Sequence, residues 1–154
     1  MVPVLKNRHL TFTDLKSAGF DPDALWQRVE GDPELLRDLF AVWEQESPGM
    51  LARIRTAIHE HDVQGLERSS HKIKGSLLQF SAGVAAAAAL RLEQLGRSGT
   101  VAGAGEFLHA LQQEIELLVQ SLRAMVERMA NDRQTNDPRT NDQRMNDPRM
   151  TGDL

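Results

Sequence analysis

His71 stands in the run His71-Lys72-Ile73-Lys74-Gly75-Ser76, whose residue types and spacing can do chemistry. On a wheel advancing about 100° per residue, Leu66, Ile73, Leu77 and Phe80 gather on the side away from His71. His71 therefore faces water in the middle of a helix. Lys74 lies one turn on and slightly to one side, Gly75 one turn on and slightly to the other, and Arg68 one turn back. Two features need a reason. A glycine inside a helix costs about 1 kcal/mol relative to alanine, and an exposed position gives Gly75 no packing role to offset that. What it leaves is open space beside the imidazole. The chain has 18 Lys and Arg together but only four lysines, and two of these flank His71. An ammonium is a suitable point charge for a phosphoryl oxygen. A neutral imidazole can attack phosphorus in line, and phosphoryl transfer depends mostly on positioning and charge stabilisation. The residues alone leave a second reading open, an ordinary solvated histidine beside a lysine.

The elements that must position this run are helical. Leu and Ala dominate, aromatics make up only 5% of the 154 residues, and β-branched residues are too sparse for a sheet protein. Asp21-Pro22 and Asp32-Pro33 each read as an N-cap followed by proline at the first helical position. The first predicts a short helix from Pro22 to Glu30, ended by Gly31. The second opens a long helix carrying Leu36, Leu39, Phe40, Trp43, Met50, Ile54 and Ile58 at helical spacing. Ser47-Pro48-Gly49 predicts a kink or break that leaves two collinear halves. Asp62 caps the helix that carries His71, which runs to about Phe80. A further helix, Val84 to Leu95, begins after Gly83 and is closed by Gly96 and Gly99. Its alanines, Ala85 to Ala89, offer a smooth packing face. The last helix, Ala104 to Met129, repeats apolar residues in alternating steps of four and three. The fold class expected is all-α: an antiparallel up-down four-helix bundle with a short extra N-terminal helix.

Three segments follow: an N-terminal extension over 1–19, the bundle over 20–130 and a tail over 131–154. The tail repeats Asn-Asp every five residues, at Asn131, Asn136, Asn141 and Asn146. That period fits neither helix nor strand, and so polar a composition predicts disorder. With no cysteine, disulfides and thiolate metal sites are excluded. No run approaches the ~20 apolar residues of a membrane helix, and the start has no signal-peptide core. A soluble, cytoplasmic chain is expected. The net charge of −4 and the lack of a basic stripe speak against nucleic acid. His59-Glu60-His61-Asp62 is rich in potential ligands, but side chains two apart on a helix point about 200° apart. A polar helix end is the expectation there, with no metal site.

His71-Lys72-Ile73-Lys74-Gly75-Ser76 resembles the signature of the histidine-containing phosphotransfer (HPt) domain family. There a histidine is followed by Lys, Gly and a small residue three, four and five positions on. Gly31-Asp32-Pro33-Glu34-Leu35-Leu36 resembles the family's first long-helix start. Phe40 and the Pro48 region fit its middle, Gln79 stands where Asn or Gln is common, and Leu92-Glu93 with Gly96-Arg97 resembles the end of its next helix. The resemblance spans about Phe20 to Met129. Ser81 departs from it, standing where the family often has Gly, as do Leu77 and Leu78, which replace smaller residues.

The resemblance implies a phosphorelay protein in which His71 takes a phosphoryl group from a receiver-domain phosphoaspartate and passes it to another receiver. Lys74 would neutralise that group and Gly75 would keep the approach open. Arg68, Lys72, Leu78 and Gln79 would contact the partner. It implies a carrier without ATP site or kinase chemistry and without a cofactor of its own, Mg²⁺ being supplied by the receiver. Partners would be response-regulator receivers and a hybrid sensor histidine kinase, and the carrier a monomer. The alternative is a non-catalytic helical interaction module with the same fold. The phosphoacceptor domain of a histidine kinase fits less well, because Lys72 follows the histidine and the helix contains no proline.

Overall fold

The computed structural model describes residues 19–135, with side chains through Asp132. Five helices occupy this stretch: α1 Pro22–Arg28, α2 Pro33–His59, α3 Val63–Gln79, α4 Gly83–Arg97 and α5 Ala104–Thr135. No strand occurs among the described residues. The N-terminal extension with His9, and the repeat beyond Thr135, lie outside them.

The starts of α1, α2 and α3 follow from aspartates. Asp21 Oδ1 accepts from the Ala24 amide at 3.1 Å, Asp32 Oδ1 from Glu34 at 2.9 Å, and Asp62 Oδ1 from Gly65 at 2.9 Å. Each satisfies an amide that the first helical turn leaves without a partner. The first four helices end on one repeated device. The amides of Gly31, Asp62, Ala82 and Thr100 reach back five residues to Trp26, Ala57, Leu77 and Leu95 carbonyls. The residue before each has positive φ: Glu30 55°, His61 54°, Ser81 55° and Gly99 85°. These are Schellman closures, which satisfy the last helical carbonyls as the chain turns away. Only the last uses glycine at the left-handed position.

From α2 onward each helix packs on its sequence neighbour, and α5 returns to α2, so α2–α5 form the up-down bundle expected. Leu36, Ile54, Leu66, Ile73, Leu77, Leu92, Leu111 and Leu122 are wholly inaccessible at its centre. Trp43 meets Phe80 edge-on, with centroids 5.8 Å apart and planes at 66°. The α5 seam of Ala104, Leu108, Leu111, Ile115, Leu118, Leu122 and Met125 is buried throughout. The short helix α1 covers the end where α3 turns into α4, with the Asp21 amide on the Ser81 carbonyl at 3.3 Å.

Four expectations are corrected. Helix α2 is unbroken through Pro48. Proline removes one amide and so orphans one carbonyl, that of Glu44; Glu44 and Pro48 are both exposed, where water can serve it, while Ser47 and Met50 anchor the buried side. Gly96 does not close α4 but lies inside it, buried. A Cβ there would meet the Glu67 amide nitrogen and the Val63 carbonyl oxygen, each at 2.7 Å. The α4 backbone therefore lies directly against the α3 backbone at this point. Helix α1 stops at Arg28, because Glu30 already has left-handed geometry. Helix α5 continues past Met129 through the first Asn-Asp pair to Thr135.

Candidate functional site

The buried stripe of α3, Leu66, Ser70, Ile73 and Leu77, turns His71 outward as the wheel requires. Its side chain is 69% exposed. Gly75 is exposed too, and a Cβ on it would meet nothing within 4 Å, so the space beside the ring is open.

The imidazole is held from below by a residue of another helix. On α4, Ala85, Ala86, Ala89, Leu92 and Gly96 form the packing face, and Glu93 is buried with them. The carboxylate of Glu93, only 3% exposed, reaches across to α3. Its Oε1 lies 2.8 Å from His71 Nδ1. Its Oε2 accepts from Lys74 Nζ at 2.5 Å. Arg97, one turn further along α4, donates from Nη2 to Glu93 Oε1 at 3.1 Å and from Nε to Glu67 Oε1 on α3, also at 3.1 Å. Both Glu93 oxygens are thus occupied by charge-assisted or imidazole contacts, the condition for keeping a carboxylate in a dry place. Burial pushes the Glu93 carboxyl up. The hydrogen bonds from Lys74 and His71, with the Lys74 charge, outweigh it and hold the group below the usual glutamate value.

Lys74 is accordingly not a free surface cation awaiting an anion. It is 20% exposed and already paired with Glu93. Arg68, Lys72, Leu78 and Gln79 all lie exposed on α3, Leu78 at 46%. Arg68 and Lys72 line one groove between α2 and α3 together with Met50, Arg53 and Ser69. His59 ends α2 while His61 sits in the following corner, and His109 is exposed on α5. No group of three potential metal ligands occurs among the described residues. None of their helices is long and apolar enough to cross a membrane.

Glu93 was missed as a site residue, because a wheel drawn for α3 cannot show what α4 brings to it. One signal was present: a glutamate in phase with Ala82, Ala86 and Ala89, on the apolar stripe of its own helix. A charge there requires a partner.

No curated protein and no solved structure shows significant similarity to the chain. A protein-family comparison does: the Hpt domain matches residues 38–132, more than half of the sequence. The match begins inside α2 and takes in α3, α4 and most of α5, so it contains His71, Lys74, Glu93 and Arg97. Domains of this family are histidine phosphocarriers of phosphorelays that lack kinase activity. The chain belongs to the Hpt domain family.

Proposed function

We propose that this protein carries a phosphoryl group on His71 Nε2 between receiver domains of a two-component phosphorelay. The observation that carries the reading is the contact of the exposed His71 ring, through Nδ1, with the buried Glu93 carboxylate at 2.8 Å. An ionised carboxylate only accepts hydrogen bonds, so Nδ1 is the protonated nitrogen and Nε2 keeps its lone pair. Nε2 attacks the phosphorus of a receiver phosphoaspartate, the N–P bond forms, and the P–O bond breaks with its electron pair going to the aspartate carboxylate. The positive charge left on the ring is balanced by Glu93, and the Nδ1 proton stays in place. Transfer to the next receiver is the reverse sequence on a second aspartate.

Lys74 stands one turn from His71 and neutralises the phosphoryl oxygens, exchanging part of its contact with Glu93 for them. Gly75 leaves room for the incoming receiver, and the Mg²⁺ belongs to that partner. Receivers dock on the exposed α3 face of Arg68, Lys72, Leu78 and Gln79, and a hybrid sensor kinase is the upstream source. The fully paired His71-Lys74-Glu93 cluster supports transfer over a module that has kept only the fold.

The test is incubation with a phosphorylated receiver. His71→Gln should fold with only a slightly lowered melting temperature, since the side chain is mostly in water and Lys74 and Arg97 remain on Glu93, and should take up no acid-labile phosphate. Labelling of that variant at the wild-type rate would exclude His71 as the acceptor.

A further inference from the structure

Glu93 Oε1 accepts two hydrogen bonds, from His71 at 2.8 Å and from Arg97 at 3.1 Å. Arg97 is tied in turn to Glu67, on the same helix as His71. One guanidinium therefore spans both helices, beside the point where Gly96 lets their backbones come together. Nothing in the transfer reaction itself asks for this second cation, because Lys74 already neutralises Glu93. It acquires a purpose when Lys74 turns toward a phosphoryl group. Glu93 then loses its nearest counterion while it must stay charged and stay on Nδ1.

We propose that Arg97, anchored by Glu67, is a positioning residue that holds the Glu93 carboxylate against His71 Nδ1 while Lys74 is engaged with the phosphoryl group. The inference rests on the assignment of His71 as acceptor. Arg97 touches neither the ring nor the phosphoryl; it acts through Glu93. Its fork matches the task, since Nε and Nη2 bond two different carboxylates at once in a fixed plane, which an ammonium cannot copy. The same support of a histidine through its second nitrogen recurs where ring orientation and tautomer matter, as at metal sites.

Arg97→Ala, Arg97→Lys and Glu67→Gln test it on the full chain. The first readout is the ¹⁵N NMR signature of the neutral His71 ring, recorded without any partner. Wild type should show the tautomer protonated at Nδ1. Arg97→Ala should show a mixture with the form protonated at Nε2, and phosphoryl uptake from a phosphorylated receiver should slow about tenfold, as loss of one charge-assisted bond implies. Arg97 is 62% exposed, so the melting temperature should stay near that of wild type. Arg97→Lys should recover only part of the lost rate by restoring charge without the fork. Glu67→Gln should move both readouts in the same direction as Arg97→Ala, but less.

Unchanged tautomer and rate in Arg97→Ala would overturn the proposal. So would a slowed rate accompanied by a lower melting temperature and an unchanged tautomer, which would make Arg97 a brace between helices and nothing more. Absence of uptake by wild type would instead refute His71 as the acceptor, while the tautomer spectra would still decide what Arg97 does.

Discussion

At the scale of the residue, Lys74 and Gly75, on either side of His71, answer to different physical requirements, and substitutions separate them. Lys74 is the counterion of a buried carboxylate at 2.5 Å and also the cation nearest the proposed phosphoryl position. Lys74→Ala should therefore lower stability as well as transfer. A loss of about 1–2 kcal/mol is expected, below the cost of stripping a buried pair bare, because Arg97 remains on Glu93. Urea denaturation of Lys74→Ala and of the double variant with Glu93→Gln checks this: the double variant should regain part of the loss, since no charge is then left unpaired. Gly75 should behave in the opposite way. Gly75→Ala places a methyl where nothing lies within 4 Å, so stability should rise by about 0.5–1 kcal/mol. Gly75→Gln should also fold, yet transfer should fall in both, more in Gln, because a misplacement of about 1 Å in the reacting pair can cost roughly 100-fold. Melting temperature and transfer rate, measured on the same samples, test the two halves of this statement.

At the scale of the element, helix boundaries were legible wherever a side chain alone decides them. Asp21, Asp32 and Asp62 cap helices as their sequence context requires, and the outward face of His71 follows from the apolar period of α3. Legibility failed where two elements meet. Gly96 reads as a helix terminator because glycine often is one, and only the approach of α3 shows that it is a packing residue. Glu93 reads as part of a helix end for the same reason. Ser81 reads as a small departure from a usual glycine; in the structure it holds φ 55°, so the left-handed strain that glycine avoids is present there. Gly96 supplies the sharpest test at this scale. Its Cβ would come within 2.7 Å of backbone atoms, which cannot swing aside as a side chain can. Gly96→Ala should destabilise by about 1–3 kcal/mol, although alanine favours helix, by forcing α4 away from α3. It should also slow phosphoryl transfer, because Glu93 sits on the helix that moves. A variant as stable as wild type would show that the two helices are not in contact there.

At the scale of the whole molecule, stability depends on pH partly through the same buried carboxylate. Glu93 is held below the ordinary glutamate value of 4.5, so the unfolded chain binds its proton more readily than the folded one. The stabilisation is fully present above that value and is lost as pH falls below it, toward the folded-state value. Lys74, Arg97 and His71 are the groups that face Glu93. Denaturant midpoints measured from neutral pH into acid should fall more steeply for wild type than for Glu93→Gln. The gap between the two should be widest near neutrality and should narrow from about pH 5 downward. Equal slopes would mean that Glu93 is not the group whose protonation loosens the bundle. The ion pair of Arg123 with Glu44, at 2.8 Å between α5 and α2, is exposed at both ends and contributes at most about 1 kcal/mol.

The short corners that join α1 to α2, α2 to α3, and α3 to α4, none longer than four residues, have a consequence in time as well as in space. Each helix finds its neighbour in the bundle without a long connection having to be closed, so little chain entropy is lost before contacts form. Glu67, His71, Lys74, Glu93 and Arg97 all lie on the single hairpin of α3 and α4. The proposed site therefore needs no encounter between distant parts of the chain, and helical proteins built on such local contacts fold within microseconds to milliseconds. A molecule that opens briefly and closes again rebuilds the proposed site once α3 and α4 pair within the bundle.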